Sequence, residues 1–164
     1  MFRWTWKAAV PAAVVALLTL AACGSPSGTA STPSPSPSPT PSPNVVAKSQ
    51  TVAGQSMVIL TDDKGMTLYV WKKDTATTKV NCIGGCAAVW PPFVLPSGVT
   101  KPVGGTGVNG TLGTLTNPEG KGLQVTYNGW PLYYYVKDKA AGDTTGQGVG
   151  GTWFVVPPSQ AQNT

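Results

Sequence analysis

The sequence predicts an all-β fold, a small compact β-sheet domain made of two pseudo-symmetric repeats with one short helical turn near Cys86–Trp90. Three observations predict it. First, Gly65-Met66-Thr67-Leu68-Tyr69-Val70-Trp71-Lys72-Lys73-Asp74 returns as Gly129-Trp130-Pro131-Leu132-Tyr133-Tyr134-Tyr135-Val136-Lys137-Asp138. Gly, Leu, Tyr, an aromatic, Lys and Asp stay in register, and Tyr69 to Tyr133 sets the spacing at 64 residues. Second, strand signals are short and frequent, while no long stretch repeats apolar residues at the helical period. Third, Trp90 follows Asp74 by 16 residues and Trp153 follows Asp138 by 15, so each copy runs hairpin, Tyr, Asp, loop, Trp. Units this small cannot bury their own faces and are expected to pack around one shared core.

The chain begins with an export signal. Arg3 and Lys7 are its positive start, and Ala8 to Leu20 its short apolar run. Leu20-Ala21-Ala22-Cys23 matches a lipobox, so residues 1–22 read as a lipoprotein signal peptide cleaved before Cys23, which takes diacylglycerol on its sulfur. The run falls short of the roughly 18 residues a spanning helix needs. Residues 23–46 form a Ser/Thr/Pro-rich linker in which proline alternates from Pro33 to Pro43. Such a segment cannot bury apolar surface and is expected to be disordered and extended, at about 3.1 Å per residue. The β domain follows at 47–158, with repeat 1 at about 56–96, repeat 2 at about 111–158, and a tail at 159–164.

Within the domain, Ser56 to Leu60 is the first expected strand, followed by an Asp62-Asp63-Lys64-Gly65 turn and a strand over Met66 to Lys72. In that second strand both faces carry apolar or aromatic groups, the pattern of a strand covered on both sides or of one that exposes an aromatic row. Cys86 to Trp90 is the helical turn, stopped by Pro91-Pro92. Pro96 to Asn109 reads as a long loop, and Thr111–Thr116 with Gly122–Tyr127 as a hairpin. Asn128-Gly129 is the strongest hairpin signal, since a type I′ turn needs two residues that tolerate φ > 0. Thr152 to Val156 closes the chain.

Charge and composition exclude several functions. The formal net charge of +5 falls to +3 once Arg3 and Lys7 are removed, leaving nine Lys against six acidic residues. That is too mild and dispersed for nucleic acid. There is no histidine in the chain, so no metal site or cofactor is expected, two thiols falling short of the usual four ligands of structural zinc. Nor is there a G-x-S-x-G elbow or a His to act as base, so no catalytic residue is assigned and an enzyme is disfavoured.

Cys82 and Cys86 have Gly84-Gly85 between them, which lets the chain bend into bonding range. They read as a structural disulfide or, alternatively, a redox dithiol. Tyr69, Asp74, Tyr133 and Asp138 could line a carboxylate site, or could be core tyrosines and loop-holding aspartates; the duplication favours structure, because an active site is needed once. Trp71, Trp130 and Tyr134 are the candidate ligand-contact aromatics.

At these residues the chain resembles the bacterial secreted-repeat lipoproteins named for a Tyr-x4-Asp motif. The carriers are Tyr69-x4-Asp74, Cys82…Cys86-Ala87…Trp90-Pro91-Pro92, Tyr127-Asn128-Gly129-Trp130-Pro131-Leu132-Tyr133 with Asp138, and Gly142-Asp143-Thr144…Gly146-Gln147-Gly148…Trp153. The resemblance implies a lipid-anchored repeat protein on the extracytoplasmic face of the cell membrane; some relatives are associated with alkane breakdown. Three functions are open: a surface-displayed binding or structural module, a redox component using Cys82–Cys86, and a carboxylate-based envelope enzyme. The partners expected are the membrane, through lipid on Cys23, and a cell-wall or small-molecule ligand.

Overall fold

A computed structural model of the protein describes residues 44–74 and 79–161. The expected signal peptide, Cys23, the linker up to residue 43 and the last three residues of the tail lie outside the described residues. Among the described residues the elements run β1 (Val45–Val52), β2 (Gln55–Asp62), β3 (Tyr69–Trp71), α1 (Gly85–Val89), β4 (Leu112–Thr116), β5 (Leu123–Tyr127), β6 (Trp130–Pro131) and β7 (Trp153–Val155). A single 3-10 turn, Val149–Gly151, precedes β7. The fold is all-β.

β1 begins at Val45, two residues inside the stretch expected to be linker, because Val45 has a fully buried place in the core. It pairs antiparallel with β2 from Val45↔Asp62 to Val52↔Gln55. The turn between them is Ala53-Gly54, with φ of 48° and 83°. Asn128-Gly129 makes the same two-residue turn between β5 and β6, with φ of 49° and 82° and Tyr127 opposite Trp130. The expected strand over 66–72 shortens to β3, with Thr67 held by a lone bridge to Thr61.

The sheets show how the repeats are joined. Leu68 N–H donates to Leu60 O at 3.1 Å, and Leu60 N–H donates to Val156 O at 2.7 Å. In the second repeat Leu132 N–H donates to Val125 O at 2.9 Å, and Val125 N–H donates to Phe93 O at 2.8 Å. Leu60 and Val125 thus each bond along one edge both to their own repeat and to the closing segment of the other repeat, while β1 or β4 covers the opposite edge. The exchange continues outward: β3 pairs with β7, while Tyr134 N–H and Val136 N–H donate to Pro91 O and Val89 O.

Alternation from Leu68 into β3 places Leu68 and Val70 in one apolar cluster and Tyr69 in another. The first holds Val45, Leu60, Val125, Leu132 and Val156; the second holds Tyr69, Trp90, Tyr133, Tyr135 and Trp153. Of the two arrangements expected here, a strand covered on both faces or one exposing an aromatic row, the first is found. α1 carries the expected helical turn, closed by Trp90 N–H donating to Cys86 O, and Pro91 and Pro92 prevent its continuation.

Candidate functional site

The repeated tyrosines and aspartates come together in the core, paired across the repeats. Tyr69 Oη donates to Asp138 Oδ2 at 2.6 Å, and Tyr133 Oη donates to Asp74 Oδ2 at 2.6 Å. Each aspartate also holds the loop after its strand. Asp74 Oδ1 accepts Asn81 N–H at 2.8 Å, and Asp138 Oδ1 accepts Thr145 N–H at 3.0 Å. Asn81 and Thr145 are themselves 64 positions apart. Both tyrosines and Asp74 are fully buried, and Asp138 is 6% exposed.

Four rings stack beside them in the order Tyr135, Trp90, Trp153, Trp71. Centroid separations along the stack are 4.1, 3.9 and 5.1 Å, with interplanar angles of 19°, 3° and 6°. Tyr69 meets Trp90 edge-on and Tyr133 meets Trp153 edge-on, repeating one contact in both halves. Aromatic pairs of these kinds contribute about 0.5–1.5 kcal/mol each beyond the area they bury. The axis relating the repeats passes through this stack between Trp90 and Trp153.

Burial sets the electrostatics of the motif. It pushes the Tyr69 and Tyr133 phenols well above their ordinary value, and the partner carboxylates Asp138 and Asp74 push in the same direction. Burial also raises Asp74, although the bonds it accepts from Tyr133 and Asn81 oppose the rise. These groups favour a protonated phenol giving its hydrogen to a carboxylate. That arrangement ties the repeats together and presents no carboxyl to solvent.

The open site lies elsewhere. A cleft of about 450 Å³ is lined by Met57, Val70, Lys72, Trp130, Gln147, Phe154, Val155, Pro157 and Gln160. Its floor comes from β3 and β7, whose pairing sets Val70 opposite Phe154. Its wall is the chain end, strapped to the Asn128-Gly129 turn. Tyr127 Oη donates to Pro158 O at 2.7 Å, Asn128 Nδ2 to Gln160 O at 2.5 Å, and Trp130 Nε1 to Ala161 O at 2.9 Å. Gln147 is fixed through Oε1, which accepts Val155 N–H at 2.9 Å. Lys72 Nζ stands 4.4 Å from the centroid of the Phe154 ring.

Of the three candidate contact aromatics, the structure brings Trp130 alone to this cleft. Trp71 ends the ring stack, with Nε1 donating to Thr152 Oγ1 at 3.1 Å. Tyr134 sets its edge against Phe93 and donates to Asp62 Oδ2 at 2.9 Å. Cys82 and Cys86 form a disulfide, with Cys82 1% exposed and Cys86 packed against the second cluster. Among the described residues no cluster of three His, Cys, Asp or Glu could hold a metal ion. Sequence reasoning missed Lys72, Met57 and Phe154. The available signal was Lys72 at the end of the repeat strand, directly after the apolar Val70-Trp71.

No curated protein and no solved structure matches this chain. A family model described as a secreted repeat of unknown function matches residues 53–94 and again 113–157. The first match holds Tyr69, Asp74, Cys82, Cys86 and Trp90; the second holds Tyr133, Asp138 and Trp153. The two matches together cover more than half of the chain, and the protein therefore belongs to the family of secreted repeats of unknown function.

Proposed function

We propose that the protein is a lipid-anchored, surface-displayed binding module of the bacterial cell envelope, held to the membrane through Cys23 and taking a small-molecule ligand in the cleft beside Trp130. The carrying observation is the contrast between the two aromatic sites. The motif tyrosines are sealed by the aspartates of the opposite repeat, whereas Trp130 and Phe154 line open space next to a cation. Membership of a secreted family and the lipobox at Leu20–Cys23 support the location. Among the described residues no helix is long and apolar enough to cross a membrane. The redox reading has less support because Cys82 is buried, and a reactive cysteine needs exposure. The carboxylate-enzyme reading has less because neither Asp74 nor Asp138 lines the cleft.

Two measurements test the proposal. Cells fed an alkyne-tagged fatty acid should label the wild-type protein and leave Cys23→Ser unlabelled; equal labelling would refute the anchor. A small-molecule screen by thermal shift should return compounds that move the methyl resonance of Met57 and are recovered unchanged. Hits that leave Met57 untouched, or that are converted, would refute the binding site.

A further inference from the structure

We infer that the cleft selects an aromatic organic anion, with its ring held between Trp130 and Phe154 and its negative group on Lys72. The inference rests on reading the cleft as the binding site, and three features of the lining carry it.

The first is size and polarity. A volume of about 450 Å³ lies at the low end of the roughly 300–1,000 Å³ typical of small-molecule sites. Six of the nine lining residues, Met57, Val70, Trp130, Phe154, Val155 and Pro157, are apolar. A sugar needs hydrogen-bond partners around its whole rim, and this lining offers few. The second is shape. Trp130, Phe154 and the Pro157 ring give flat faces, and a planar ring buries more against such faces, at less entropic cost, than a flexible chain does.

The third is charge. Lys72 is the single ionisable residue in the lining, and no carboxylate accompanies it there. Among the described residues the one ion pair is Lys121 with Glu119, so no acid among them forms an ion pair with the Lys72 ammonium. It lies over the Phe154 ring, whose negative face holds the cation at the cleft without cancelling its charge. An incoming carboxylate or sulfonate completes that arrangement, with the cation between ring and anion.

The test is calorimetric titration of the full mature protein with four probes: naphthalene-2-carboxylate, 2-naphthalenemethanol, 2-naphthylmethylammonium and decanoate. The expected result is that naphthalene-2-carboxylate binds at least ten-fold tighter than the other three. Lys72→Met should erase that preference and Lys72→Arg should restore most of it. Raised salt should weaken the carboxylate and leave the alcohol unaffected. Lys72 is exposed, so an unchanged melting temperature will show that the variants are folded. Equal binding of carboxylate and alcohol, or no effect of Lys72→Met, would overturn the anion assignment and leave the cleft intact as a site. Tighter binding of decanoate would overturn the aromatic assignment. If none of the four binds, or if Trp130→Ala binds as well as wild type, the cleft reading falls with it.

Discussion

Tyr69 and Tyr133 face each other across the axis between the repeats and exchange both backbone hydrogen bonds, Tyr69 N–H to Tyr133 O at 2.9 Å and Tyr133 N–H to Tyr69 O at 3.0 Å. Antiparallel contact of equivalent residues is what a twofold relation requires. From it follows the crossing of their side chains, each hydroxyl reaching the aspartate of the other repeat.

The crossing makes a prediction about coupling. Tyr133→Phe removes a buried donor to Asp74 and should cost about 2 kcal/mol. In a double-mutant cycle, Tyr133→Phe and Asp74→Asn should couple by at least about 1 kcal/mol. Tyr69→Phe and Asp74→Asn, neighbours in sequence but not in hydrogen bonding, should add to within about 0.5 kcal/mol. Urea melts measure all three single variants and both doubles. Stronger coupling within the sequence motif than across it would show that the pairing has been misassigned.

Buried phenols also fix the response to alkali. Tyr69, Tyr133 and Tyr134 are all raised, in each case first by burial and then by the nearby aspartates. The folded state therefore keeps protons that the unfolded chain loses near pH 10. Stability is fully present below that pH and falls as pH rises above it, by roughly 1.4 kcal/mol per pH unit for each phenol still protonated in the fold. Asp74 has the same sign lower down: its contribution is present below about pH 4 and is lost as pH rises through its raised folded value. Guanidinium melts from pH 8 to 12 should show a steep loss beginning near pH 10. Tyr69→Phe and Tyr133→Phe should each flatten it, and an unchanged slope would mean that the phenols titrate alike in both states.

The two turns give a paired prediction. Gly129 and Ala53 both sit at positive φ, but alanine carries a Cβ into a region that costs an L-residue about 1–2 kcal/mol. Gly129→Val should destabilise by more than about 2 kcal/mol, and by more than Cys82→Ser, whose four-residue separation closes too short a loop to contribute more than about 2 kcal/mol. Ala53→Asn should stabilise by about 0.5 kcal/mol, because asparagine tolerates this conformation. Thermal melts rank the three.

Those turns also mark what could be read from the chain. Asn128-Gly129 announces its hairpin by residue type, and the spacing of 64 residues announces the repeat. β1 was hidden. Lys48, Ser49 and Gln50 interrupt its alternation, and Ala53-Gly54 lacks the asparagine or aspartate that usually signals such a turn. The Tyr-to-Asp crossing was hidden for a different reason. Sequence places Tyr69 five residues from Asp74, and an odd separation on an extended chain points two side chains to opposite faces. That argues against pairing within the motif, yet it does not name the partner, which only the packing of one repeat on the other supplies. The ring stack is legible afterwards as two pairs related by the repeat, Trp71 with Tyr135 and Trp90 with Trp153. The cleft carries no repeat signature, since Lys72, Phe154 and Gln160 meet there through tertiary packing alone.

The strongest consequence of the exchanged closing segments concerns the halves of the domain. Residues 44–104 contain Phe93, whose carbonyl pairs with Val125 of the other half, and residues 105–161 contain Val156, whose carbonyl pairs with Leu60. Cutting the chain in the loop at Gly104-Gly105 would leave the Leu60 and Val125 N–H groups without their acceptors and each half with only half of the ring stack. Each tyrosine would also lose its aspartate. Neither fragment should fold alone, because buried polar partners and the aromatic contacts vanish together. Mixed at equimolar ratio, they should recover the near-ultraviolet circular dichroism of stacked tryptophans and a cooperative melt. Placing Asp138→Ala in the second fragment should weaken recovery by ten-fold or more. A fragment that melts cooperatively by itself would contradict the exchange, and so would a mixture that stays unfolded at concentrations where the intact chain is stable.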